Sequence, residues 1–198
     1  MGFHARGLTK GFMDPIAALL EETDDFSEVI RYAAFHHRKQ RYPGTKVPYV
    51  AHLWAVADLA RKLCIRYPGL DPQFAATVAA LHDIIEDTPV SYADVSGAFG
   101  PKVADGVHAV SKNKGTPPIY QMAECLNLIK AQPFEVWIAK IADRIYNLES
   151  IARGSTYRKA EAYVDEARLI RQELSLVGGD AIALLDLRIH QCDLVLGT

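Results

Sequence analysis

His82 and Asp83 stand side by side in Ala79-Ala80-Leu81-His82-Asp83-Ile84-Ile85-Glu86-Asp87-Thr88. An apolar helical run ends there in two side chains able to ligate a metal, and two further carboxylates follow within one turn. Burying such groups beside Leu81, Ile84 and Ile85 is costly unless a countercharge compensates them. A divalent cation is the natural compensator, because imidazole and carboxylate ligands suit Mn, Fe, Co, Ni or Zn. The stretch reads as half of a metal site, and two other places offer the rest. Pro48-Tyr49-Val50-Ala51-His52 opens an apolar helix with His52 in its first turns. Trp137 to Leu148 is a second apolar helix whose Lys140, Asp143 and Asn147, spaced i, i+3 and i+7, share one face.

Two imidazoles and two carboxylates would leave two positions of an octahedral ion open for water or a phosphate oxygen. Closed structural zinc sites are usually tetrahedral and thiolate-rich, so this donor set points to catalysis. Neighbouring helical residues point about 100° apart, so His82 and Asp83 must converge on an ion near a helix end. Glu86 lies i+4 from His82 and i+3 from Asp83, and Asp87 lies i+4 from Asp83. That spacing puts both carboxylates one turn beyond the metal, placed to handle protons. Asn147 is neutral, shares the face of Asp143, and can hydrogen-bond a ribose or phosphate oxygen.

The elements that must hold these groups are helical. Asp14-Pro15 reads as a cap and first turn before Ile16, Leu19 and Leu20. The pattern predicts helices from about Asp25 to Gln40, Tyr49 to Ile65, and from the Asp71-Pro72 cap to His82 and Asp83. Between the first two lies Arg41-Tyr42-Pro43-Gly44-Thr45-Lys46-Val47-Pro48, a loop. After Thr88-Pro89, Ser91 with Asp94 resembles a capping box for a short helix closing at Phe99-Gly100. Pro101 starts another through Val110. The loop Ser111 to Pro118 carries Lys112 and Lys114. Helices are expected at about Ile119–Ala131, Pro133–Arg153, Thr156–Val177 and Asp180–Leu196, the last two parted by Gly178-Gly179. No alternating strand pattern or internal repeat is visible, so the fold class is all-α, a compact bundle of about 8–10 helices.

At 198 residues the chain suits one well-buried domain and is short for two with a linker. Its net charge of −2 gives no overall attraction to nucleic acid or an anionic membrane. An anionic substrate must therefore be met by local positive charge and the metal. No apolar run approaches a membrane span, Met1 to Lys10 lacks a signal-type apolar core, and Met1-Gly2 lacks the Ser or Thr of a myristoylation motif. A cytoplasmic protein is expected. Cys64, Cys125 and Cys192 are odd in number, widely spaced and set among apolar residues, which reads as reduced thiols in or near a core. His4, His108 and His190 have no partner pattern and read as surface or satisfied core histidines, while His36 and His37 read as helix residues packing or capping.

Four words of the sequence resemble, in order, the HD-domain metal phosphohydrolases, and within them the hydrolase domain of the Rel/Spo homologues and the stand-alone small alarmone hydrolases. They are His37-Arg38-Lys39-Gln40-Arg41, Pro48-Tyr49-Val50-Ala51-His52, Leu81 to Thr88, and Lys140-Ile141-Ala142-Asp143-Arg144-Ile145-Tyr146-Asn147-Leu148. The resemblance runs from about Phe26 to about Val164 and implies a single HD-type hydrolase domain over 1–198, with C-terminal helices in 156–196 packing on it. It implies that His52, His82, Asp83 and Asp143 ligate one divalent ion, usually Mn²⁺, and that Glu86 and Asp87 are the catalytic pair. It places Asn147, and Tyr163 on the following helix, in a nucleotide pocket. The activity implied is removal of the 3′-pyrophosphate from guanosine tetra- or pentaphosphate alarmones or their adenosine counterparts. The partner is then a phosphorylated nucleotide, with no nucleic acid and no membrane. Self-association is left open, and the length leaves no room for a synthetase domain.

The chain departs from the family in its cations. An Arg-Lys pair usually precedes Pro-Tyr, but Tyr42 and Pro43 stand there, with Arg41 just before and Lys46 just after. Met122-Ala123-Glu124-Cys125-Leu126 occupies a stretch where arginines and lysines are common. Each lost close contact with a phosphate is worth about 1–3 kcal/mol. Arg41, Lys46, Lys112 and Lys140 are the cations left as candidates to bind substrate. Two other readings stay open: an HD-type phosphohydrolase acting on a different nucleotide, and an inactive, metal-retaining nucleotide-binding module.

Overall fold

The structure, a computed structural model, describes residues 25–153 and 160–197. The helix expected after Asp14-Pro15 and the start of the one expected at Thr156 lie outside these residues. In order come α1 (Asp25–His36), α2 (Val50–Cys64), α3 (Pro72–Leu81), α4 (Ile84–Asp87), α5 (Tyr92–Phe99), α6 (Pro101–Val110), α7 (Pro118–Lys130), α8 (Phe134–Ala152) and α9 (Ala160–Glu173). A 3₁₀ turn, Ser175–Val177, leads to α10 (Gly179–Leu196). Among the described residues β pairing amounts to one isolated antiparallel bridge, Arg41 to Pro48. The fold is all-α, and no described helix is long and apolar enough to cross a membrane.

Local chemistry sets most helix ends. Asp71 accepts from the Gln73 and Phe74 amides at 3.0 and 3.1 Å, with Pro72 in the first turn of α3. Ser91 and Asp94 form the reciprocal capping box of α5. Gly100, at φ 87°, turns the chain from α5 into α6. One end differs from expectation. Helix α1 stops at His36, short of Gln40, because the next residues are held by tertiary partners. The His37 ring bonds the Gln40 side chain, the Gln40 carbonyl accepts from the Tyr49 amide at 3.2 Å, and Tyr42 and Val47 close the loop at 2.9 Å.

Helix α8 is the centre of the bundle. Every residue from Glu135 to Ile145 is buried, including Lys140, Asp143 and Arg144, and α2, α3 and α10 pack around it. Ile138, Ile141, Ile145 and Leu148 supply its apolar contacts as the spacing indicates. Helix α3 is buried from Phe74 to Leu81, so it needs no amphipathic period. The close crossing of α6 over α3 and α8 occurs at Gly106, where a Cβ would lie 2.9 Å from Val78 and 3.1 Å from Val136. At the far end, Tyr67 donates to the Gly178 carbonyl at 2.8 Å and accepts from the Ala181 amide at 3.0 Å. This ties α10 to the turn after α2. Gly179, at φ 54°, lies against the Tyr67 ring, where a Cβ would come within 2.9 Å of the phenol oxygen. All three cysteines are buried and unpaired.

Candidate metal centre and substrate cleft

The chain solves the problem of adjacent ligands by breaking its helix between α3 and α4. Asp83 sits at φ −101°, ψ 0°, in the sparsely occupied bridge between helix and strand geometries. The break lets His82 and Asp83 turn toward the same point. His52 reaches it from the first turn of α2 and Asp143 from the middle of α8. His82 Nε2 lies 2.9 Å from Asp83 Oδ2 and 3.4 Å from Asp143 Oδ1, and His52 Nε2 lies 3.5 Å from Asp143 Oδ1. Donor atoms of His52, His82 and Asp83 all fall within 4.8 Å of one another.

The separations of 2.9 to 3.5 Å are those of neighbouring donors around a divalent ion. With ligands at ~2.1 Å, neighbouring donor atoms stand ~3.0 Å apart in an octahedron and ~3.4 Å apart in a tetrahedron. Three of the four candidate ligands are also oriented from behind, as metal sites require. His82 Nδ1 donates to the Ala79 carbonyl at 2.7 Å, which leaves the Nε2 lone pair for an ion. Tyr49 donates its hydroxyl to Asp83 Oδ2, and Asn147 donates to Asp143 Oδ1 at 2.7 Å. The His52 ring is held instead by packing, with Tyr42, Tyr49 and Tyr146 centroids at 5.2, 5.2 and 5.1 Å, and its buried Nδ1 has no hydrogen-bond partner among the described residues.

The electrostatics carry the same message. Burial opposes charge on His82, yet the Asp83 and Asp143 carboxylates hold its pKa well above the ordinary imidazole value. Burial likewise opposes charge on Asp143, but His82 and His52 hold it well below the usual carboxylate range. The buried Asp143 and the partly buried Asp83 thus demand a positive charge, and an imidazolium answers where a metal would serve better.

Above this floor opens a cleft of about 330 Å³, lined among others by Asp83, Glu86, Asp87, Asp143 and Asn147. Burial pushes the Glu86 carboxyl above its ordinary range, against the Lys112 amide that donates to its Oε2 at 2.8 Å. Asp87 stands at the rim, 3.4 Å from Lys114 Nζ, which also bonds the Glu86 carbonyl. Of the candidate substrate residues, Arg41, Lys112, Lys140, Asn147 and Tyr163 line the cleft. Lys46 does not; it is exposed in the loop before Pro48.

Four residues without a role assigned from the sequence also belong to this site. Tyr49 lies one turn before His52, a spacing that could have flagged it. Arg144 is i+4 from Lys140, buried, and stacked 4.7 Å from the Tyr163 ring centre. Tyr42 donates toward Asn147 Oδ1 at 3.3 Å and contacts Ser150 Oγ at 3.1 Å, so the residue in place of the usual arginine steadies the amide behind Asp143. Glu166 bonds both Lys112 and Arg144, and nothing in its local sequence announces this.

The family model for the HD domain matches residues 29–174. Guanosine-3′,5′-bis(diphosphate) 3′-pyrophosphohydrolase MESH1 of Drosophila melanogaster is 32% identical over 155 residues, covering 75% of this chain and 84% of that protein. The bifunctional (p)ppGpp synthase/hydrolase SpoT of Escherichia coli K12 is 34% identical over 110 residues, covering 52% of this chain and 15% of SpoT. A solved structure, described as a metazoan ortholog of SpoT that hydrolyzes ppGpp, superposes with a TM-score of 0.74 at 26% identity, covering 85% of this chain and 96% of that one. The crystal structure of lmo0812 from Listeria monocytogenes EGD-e shares the fold, with a TM-score of 0.59 at 22% identity over 74% of this chain and 99% of that one.

Proposed function

The chain belongs to the HD-domain family, and from that premise we propose that it is a metal-dependent phosphohydrolase that removes the 3′-pyrophosphate of guanosine tetra- or pentaphosphate-type alarmones. One observation carries the reading: three distant segments bring two imidazoles and two carboxylates together beneath a cleft that also presents Glu86 and Asp87. The names of the relatives, in Drosophila melanogaster and Escherichia coli alike, supply the substrate. We take the chain as one hydrolase domain working in the cytoplasm and in responses to starvation.

His52, His82, Asp83 and Asp143 would hold a divalent ion, for which Mn²⁺ is our choice. When bound, such an ion supplies Lewis acidity toward water and phosphoryl oxygens. The remaining work belongs to side chains. Glu86, with one oxygen anchored by the Lys112 amide and its pKa raised by burial, would accept the proton of the attacking water through the other oxygen. Asp87 at the rim would steer that water or the departing group. Arg41, Lys112 and Lys140 would face the phosphates, with Asn147 and Tyr163 toward the nucleoside.

Purified protein supplied with Mn²⁺ should release pyrophosphate from guanosine tetraphosphate, and Asp143→Ala should abolish both metal retention and release. Robust cleavage of other nucleotides with guanosine tetraphosphate left intact would replace the substrate but not the chemistry. That second reading has its own observation, since Tyr42 and Pro43 occupy the usual Arg-Lys positions. The adenosine alarmones belong in the same panel.

A further inference from the structure

We propose that Glu166 sets the cleft's selectivity by charge, lowering its affinity for the most highly phosphorylated ligands. The inference deepens the hydrolase reading and rests on it only for the identity of the natural substrate.

Four cationic side chains line the cleft, Arg41, Lys112, Lys140 and Arg144, and four carboxylates line it too, Asp83, Glu86, Asp87 and Asp143. The lining is therefore formally neutral without a metal. Glu166, on α9, adds one negative charge directly behind that lining. Its carboxylate takes Lys112 Nζ at 2.8 and 3.1 Å and Arg144 at 2.7 Å, so one anion occupies two of the four cations. Partial burial works against its charge, but Arg144 and Lys112 keep its pKa below the usual range. The Arg144 side chain is only 3% exposed and has further anchors in the ring and carbonyl of Tyr163. Lys112 is fixed through its main chain to Glu86. With the Arg144 side chain and the Lys112 backbone anchored elsewhere, the carboxylate acts at the cleft wall chiefly through its charge. A ligand phosphate reaching for Lys112 must compete with it, and each added phosphate charge feels its repulsion.

The test separates charge from geometry. Glu166→Gln removes the charge and keeps one acceptor oxygen, which at the Oε2 position both Lys112 and Arg144 reach, while Glu166→Asp keeps the charge. Calorimetric titration of the metal-loaded protein with inorganic orthophosphate, pyrophosphate and tripolyphosphate requires no turnover, so failure of the hydrolase reading would appear separately, as alarmones left uncleaved. Glu166→Gln should bind pyrophosphate about three- to tenfold more tightly, orthophosphate with a smaller gain and tripolyphosphate with a larger one. The gain should shrink as salt rises. Glu166→Asp should stay near wild type. Equal affinities in wild type and Glu166→Gln, a uniform loss, or the same gain in Glu166→Asp would each overturn the proposal. If Glu166→Gln does not fold, Glu166→Met, uncharged and of similar length, carries the same expectations.

Discussion

The two nitrogens of His82 have separate tasks, one fixed by the Ala79 carbonyl and one turned to the ligand cluster. The same division of labour recurs among the carboxylates around it. Asp143 is buried and Asp83 partly so, and both are oriented, by Asn147 and Tyr49 respectively, and face imidazoles. Glu86 and Asp87 have partners in the loop after α6 and are turned to the cleft. Removing the second pair should therefore leave the first intact. Glu86→Gln and Asp87→Asn are expected to keep their metal and melting temperature while turnover falls about a hundredfold or more, the scale of lost acid–base assistance. Steady-state rates beside elemental analysis decide the matter, and wild-type rates in both variants would remove these carboxylates from the mechanism.

At the scale of elements, the site depends on how closely helices approach α8. Gly106 permits α6 to lie against α3 and α8, and Gly106→Ala would press a methyl group into Val78 and Val136. Overpacking of this kind costs about 1–3 kcal/mol, at about 2–4 °C of melting temperature per kcal/mol for a chain this size. Thermal denaturation should show that loss, and an unchanged melting temperature would mean the crossing is looser than it looks. Where elements begin was legible from local chemistry. Asp71-Pro72, Ser91 with Asp94, and Pro101 each act within a few residues of themselves. Where α1 ends was not, because His37 and Gln40 answer to partners brought by the loop and by Tyr49. The site divides the same way. His52, His82, Asp83 and Asp143 were nominated by residue type, spacing and family resemblance, whereas Glu166 and Arg144 matter only once α9 lies beside α8.

For the molecule as a whole, the four candidate ligands join α2, the break between α3 and α4, and the central α8. An ion bound there would cross-link the bundle, and stripping it should lower the melting temperature in proportion to the binding free energy lost. The size of that drop should depend on pH. His82 has a raised pKa in the metal-free cluster, so its protonated form stabilises the stripped protein fully below the ordinary imidazole pKa of about 6.5. That help is lost as pH rises through the folded value. Asp83 and Asp143, with lowered values, contribute evenly above the carboxylate range. Differential scanning with and without chelator should thus show a larger drop at mildly alkaline than at mildly acidic pH, and a drop that grows toward acid would contradict the assignment. The three buried cysteines offer a different return. Burial raises all three pKa values, that of Cys64 to about 11, and Cys125 and Cys192 donate to the carbonyls of Ala109 and Leu148. Thiol reagents at neutral pH meet these sulfurs only when α2, α7 or α10 comes away from its neighbours. The molecule therefore carries three built-in clocks, and the order in which they are labelled records the sequence in which the bundle opens.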